Sequence, residues 1–266
     1  MHNHVQAPAT SFELLVAMLL VVAFFIYPVA AFVTNKTHRK WPSYRCFFWG
    51  LGVCCAGLSV VGPFALYAQT HFKGHMMGHL LLGMLAPLLL VFARPMTLLL
   101  RTVTISTARK ITRLLKSPLF HVLSNPATAA GLNIGGLWLL YTTDLFELMH
   151  QSLLLYSLIH LHVFLAGYLF TLSIIYIDVT SHRLSYLYRA LVLILAIAGH
   201  KILSKYIYAH PPKGVPQHEA EIGALWMYYG GDLIELVLII VLCYQWYKAS
   251  APRGKSSIAK IHSINY

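Results

Sequence analysis

The stretch "HFKGHMMGHLLLGMLAPLLLVFARP", residues 71–95, decides the fold. Between Lys73 and Arg94 it carries no Asp, Glu, Lys or Arg, and most of its side chains are apolar. A run of about 20 such residues has the length of one helix across a ~30 Å hydrocarbon core. Pro87 lies inside the run and predicts a kink there. At the mouth of the helix, His71, His75 and His79 recur every four residues. Each step of four turns a helix by only about 40°, so the three imidazoles share one face, with Met76 and Met77 between them.

The rest of the chain repeats this pattern. Of its 266 residues, 58% are hydrophobic and 11% charged, whereas a soluble domain is nearer half apolar and a quarter charged. Blocks of about 20 apolar residues predict helices at 12–33, 47–69, 73–93, 126–143, 151–177, 186–208 and 221–247. The predicted fold is all-α: a polytopic membrane bundle of about seven transmembrane helices. The first block is too long for the apolar core of a signal peptide and lacks a cationic leader, so it is expected to remain in the protein. Residues 1–249 form one transmembrane domain, and 250–266 a polar, flexible tail. Segment 94–125 mixes Leu98, Leu99, Leu100, Leu114 and Leu115 with six cations, as an interfacial helix on anionic lipid would.

The formal net charge of +12 would raise nucleic acid as a partner for a soluble protein. Its distribution gives a different reason. Lys36, Arg39, Lys40, Arg45, the six cations of 94–116, Arg183, Arg189, Lys248, Arg253, Lys255 and Lys260 all fall on one side of the seven-helix layout. Only Lys73 and Lys213 fall in loops on the other. The positive-inside rule therefore puts the N-terminus outside and the C-terminus in the cytoplasm, with lipid, not nucleic acid, as the polyanion. The four cysteines lie toward the cation-rich side and do not suggest structural disulfides.

Histidines are distributed the opposite way. Only His38, His121, His182 and His262 belong to the cation-rich side. At about 1.5 Å per residue, His79, His160, His200 and Asp232 each lie roughly 10–15 Å below the outer ends of their helices. Glu235 is one turn below Asp232. Four helices thus bring polar groups to one layer, where ionisable residues are costly and mark functional sites. The plainer alternative is structural: histidines bridging helices, and Lys201 pairing with the acids of the last helix. His160 and His162 face nearly opposite ways, and the depth of His160 favours it. His2 and His4 read as a polar terminus. Imidazole suits copper, zinc and iron, and thioether sulfur adds a preference for cuprous ion. His75, His79, His160, His200, Met76 and Met77 are the candidate metal ligands. Asp232, Glu235 and Lys201 are candidate orienting or relay groups, and His71 marks the way in. The sequence has no HExxH, no CxxCH and no Ser/His/Asp arrangement, so no enzyme is expected.

Residues 75–95 also resemble the signature of the CtaG family, the multi-span assembly factors of caa3-type cytochrome c oxidase. The matching residues are His75, Met76 and His79, then Ala86–Pro87, then Arg94–Pro95. "HLHVFLAGYLF" (160–170) is similar to the family's fifth span, and "EAEIGALWMYYGGDLIEL" (219–236) to the opening of its last. The chain departs from the family's usual Asp-Pro at Asp178–Val179, and from its Asp-Gln at Glu219–Glu221. The resemblance implies a bacterial plasma-membrane protein that helps mature a haem–copper oxidase. Its expected partners are oxidase subunits or other assembly factors, and it would handle copper at the outer face. Two other readings stay open. One is a b-type haem protein with His79 and His160 as axial ligands. The other is a metal or proton transporter using Lys201, Asp232 and Glu235.

Overall fold

The computed structural model describes residues 6–180 and 183–251, with side chains from residue 12 onward. His2, His4, His182, His262 and the tail beyond residue 251 lie outside the described residues. The described chain is helical, at 84%, and no strand occurs within it. Its helices are α1 (Gln6–Thr34), α2 (Ser43–Val60), α3 (Pro63–Thr70), α4 (Phe72–Ala93), α5 (Pro95–Thr102), α6 (Ile105–Leu115), α7 (Pro118–Leu123), α8 (126–142), α9 (Leu145–Gln151), α10 (Leu153–Ile175), α11 (Tyr186–Ala209) and α12 (Gln217–Ser250). Among them α1, α4, α10, α11 and α12 are five helices long and apolar enough to cross a membrane.

Two expected spans differ from simple helices. The 47–69 block is broken by Gly62–Pro63 into α2 and α3, which meet at a 49° bend. Proline disfavours helical backbone in the residue before it, and Gly62 takes the left-handed φ of 85° that the turn requires. The 126–143 block is helical over 126–142, about 25 Å long. Asn125 caps it by accepting from the Ala127 N–H at 2.9 Å, and Pro126 fills the first turn. The 94–125 segment is not one helix but three short ones, since Pro95, Val103–Thr104 and Pro118 interrupt it.

The opening stretch lies at the centre. In α4, 72% of the apolar window is buried inside the bundle, against 11–39% in the other four long helices. It packs against α2, α3, α10 and α12. Arg94 ends α4 in a left-handed conformation, φ 57° and ψ 57°, immediately before Pro95. Asp178, the residue where the family's Asp-Pro is altered, caps the following α5. Its carboxylate accepts from the Met96 N–H at 2.7 Å and the Thr97 N–H at 2.9 Å. Large apolar side chains such as Met18, Phe25, Phe47 and Leu195 are exposed, while His75, His79, His200 and Glu235 are buried. This inverts a water-soluble protein and fits a bundle solvated by lipid.

Candidate functional site

Two stretches of π-helix, Leu80–Leu85 in α4 and Gly131–Gly135 in α8, shape the polar interior. The first has a clear cause. Pro87 has no N–H to give to the Gly83 carbonyl four residues back, and the Ala86 N–H reaches five residues back to Leu81. Gly167 of α10 packs directly onto that Gly83 carbonyl, so closely that a Cβ there would overlap the oxygen. In the second stretch, the Leu132 carbonyl accepts from Nε2 of His162 at 3.1 Å. His162 is thereby occupied on an exposed face, while His160 turns inward.

The histidines form two layers. The upper layer surrounds His75, whose ring centroid is 6.2 Å from His160 and 6.4 Å from His150. Nε2 of His75 shares a 3.0 Å hydrogen bond with the Tyr141 hydroxyl. His150 and His160 each donate from Nδ1 to a carbonyl four residues back, Phe146 and Tyr156, at 2.8 Å. That bond leaves the Nε2 lone pair of each free, the state in which imidazole binds metal. A cleft of about 310 Å³ opens above, lined by His71, His75, Glu147, His150, Lys213 and Glu219. Glu219 also accepts from the Phe72 N–H at 2.7 Å, fastening α12 to the start of α4. At the rim, Lys213 is 2.9 Å from Glu147 and 3.5 Å from Asp144, and the Glu147 carboxylate holds its ammonium above the usual lysine range.

The lower layer is drier. His79 and His200 lie with ring centroids 6.2 Å apart and planes inclined at 43°. Nδ1 of His200 is 3.1 Å from Oε1 of Glu235, near enough for an ion pair but off the line of a hydrogen bond. Both ring nitrogens of His79, both of His200 and Oε2 of Glu235 are buried without a hydrogen-bond partner. Each such group costs about 1–3 kcal/mol and calls for an explanation. They border a cavity of about 20 Å³ with Gly83, Asn133 and Thr171, where the two large apolar clusters of the bundle meet. Both π-helical stretches contribute to its wall.

The residues expected from sequence are thus divided. His75 and His160 meet in the upper layer, His79 and His200 in the lower. Among the described residues, no three His, Cys, Asp or Glu side chains converge as a ready metal centre. Met76 is fully buried in an apolar cluster with Met149 and Met227, packed against Gly223 of α12, and Met77 is half-buried. Asp232 does not orient an imidazole. It pairs with Lys201 at the side of the bundle, where the two side chains are 40% and 28% exposed. Glu235, three residues on, takes the place beside His200. Of the three expected relay groups, Lys201 and Asp232 are in contact at the side of the bundle and Glu235 lies beside His200. His150 was among the outer histidines in the sequence, but no spacing singled it out.

The ring centroids of the lower pair are separated by about the sum of two metal–nitrogen bonds of about 2 Å and two imidazole ring radii. Glu235 is the carboxylate beside His200. The cavity beside His79 and His200, about 20 Å³, has the size of about one water.

Residues 14–249 match the family model described as cytochrome c oxidase caa3 assembly factor (Caa3_CtaG). The chain is similar to an uncharacterized protein of Mycobacterium leprae, 31% identical over 60% of this chain and 26% of the relative. It is also similar to uncharacterized proteins of Mycobacterium bovis and Mycobacterium tuberculosis, each 30% identical over 66% of this chain and 28% of the relative. The chain therefore spans about a quarter of the length of the curated relatives it matches. No solved structure matches.

Proposed function

The chain belongs to the cytochrome c oxidase caa3 assembly factor family, and we propose that it serves oxidase biogenesis by passing copper through the bundle's histidine layers. It is a non-enzymatic protein of a bacterial plasma membrane and works on oxidase subunits or other assembly factors. It crosses seven times, with the N-terminus outside. The bent pair α2–α3 makes one crossing and α8 another, and the cation asymmetry supports this orientation. Copper enters by the cleft at His71, is relayed by His75, His150 and His160, and is held between His79 and His200, with Glu235 orienting His200.

The observation that carries this reading is the buried His79–His200 pair, whose ring nitrogens have no hydrogen-bond partner, beside a cavity of about one water's size. The test loads purified protein with cuprous ion, removes the excess, and measures retained copper. Wild type and His162→Ala are expected to keep about one ion, which two-nitrogen coordination of one ion requires. His79→Ala and His200→Ala are expected to lose it. Background copper in the wild type, or no change in His79→Ala, sinks the copper assignment.

A further inference from the structure

At the opposite, cation-rich end, Arg189 lies in the first turn of α11 and is only 2% exposed. Its guanidinium sits 4.3 Å from the ring of Tyr176 and 4.4 Å from the ring of Tyr186. Nη1 donates to the Ile174 carbonyl at 2.6 Å and to Oε1 of Gln245 at 3.4 Å, while Nε is buried without a partner. Among the described residues no carboxylate pairs with Arg189; the ion pairs lie at the other end or beside Asp232 and Glu235. Carbonyl and amide oxygens satisfy donors but do not neutralise a charge, and a buried cation without a counter-charge is costly.

Arg189 lines a cavity of about 450 Å³ whose rim carries two further cations, Arg183 and Lys248. Three cations around a space lined by no acid among the described residues call for an anion. The wall of that space also carries an interfacial feature: Tyr186 stacks on Trp246, with centroids 6.1 Å apart and planes at 13°. Tyrosine and tryptophan concentrate at the headgroup level of a bilayer. We propose that this pocket holds the phosphate of an anionic phospholipid. The stacked guanidinium of Arg189 donates charge-assisted hydrogen bonds to the phosphate, and Arg183 and Lys248 draw the headgroup in.

The test is native mass spectrometry of the full chain in detergent, titrated separately with phosphatidylglycerol, phosphatidylcholine and inorganic phosphate. Wild type is expected to retain phosphatidylglycerol in preference to phosphatidylcholine. Arg189→Gln is expected to weaken that retention about tenfold, the effect of losing a hydrogen bond to a charged group. Lys248→Gln, exposed at the rim, should weaken it a few-fold. Lys213→Gln at the far end should leave it unchanged. Equal retention of the two lipids, or loss in neither pocket variant, overturns the proposal. Displacement of phosphatidylglycerol by an equal concentration of inorganic phosphate also overturns it, by assigning the pocket to the free anion. If Arg189→Gln does not elute as a monodisperse protein, Lys248→Gln decides alone.

Discussion

His200 and Glu235 show how one contact reassigns a role. Asp232 and Glu235 lie three residues apart, about 60° around a helix, so a small rotation of α12 decides which one faces inward. In the fold Gly231 permits the inward choice: an added Cβ there would meet Cε1 of His200 at 2.6 Å, so only glycine lets the imidazole approach the helix this closely. If Glu235 orients a ligating histidine, Glu235→Gln should keep the copper stoichiometry and weaken cuprous affinity about 10- to 100-fold. Competition against a cuprous chelator measures it. Asp232→Asn, which disturbs only a partly exposed pair with Lys201, should change affinity less than twofold, since such pairs contribute little. Equal effects of the two substitutions would return the orienting role to Asp232 or remove it from both.

Among elements, the contact of α4 with α10 is the one most dependent on a missing side chain. Pro87 releases the Gly83 carbonyl, and Gly167 lets α10 close over it. Val163 closes the same seam, 2.8 Å from a Cβ placed on Gly83. Gly167→Ala must push the helices apart, and overpacking of this kind costs about 1–3 kcal/mol. Thermal unfolding in detergent should show a clear fall in Tm. Gly135→Ala is the control, because nothing lies within 4 Å of its Cβ. There alanine should be neutral or stabilising by up to about 1 kcal/mol. An unchanged Tm for Gly167→Ala would mean the two helices are not in this contact. The π-helical stretches were not legible in the sequence, which showed only a proline and some glycines. A wide turn leaves no periodic mark as short as itself, and its position depends on what packs against the released carbonyl.

For the whole molecule, the positive-inside rule makes orientation a testable expectation. Lys213 lies in a loop at the histidine-rich end, and Arg109 in α6 at the cation-rich end. In intact cells of a strain carrying a variant without its native cysteines, Lys213→Cys should react with a membrane-impermeant maleimide. Arg109→Cys should react only after permeabilisation. The reverse pattern would invert the topology and place the histidine cleft in the cytoplasm.

The sequence by itself determined the apolar, all-helical architecture and the family, while of the seven expected spans five are helices long and apolar enough to cross, or six with the bent pair. These rest on one-dimensional quantities: the length of apolar runs, the side on which cations fall, and short motifs such as that of residues 75–95. It also brought His75 and His79 to one face of one helix. Only the tertiary structure decided which neighbours each of the two meets. Four residues of helix rise about 6 Å, so each imidazole meets different neighbours, His75 with His150, His160 and Tyr141, His79 with His200. Which partners wait at each level depends on the rotation and wide turns of other helices. Those are set by glycine contacts and freed carbonyls between segments far apart in the chain, and no local pattern encodes them.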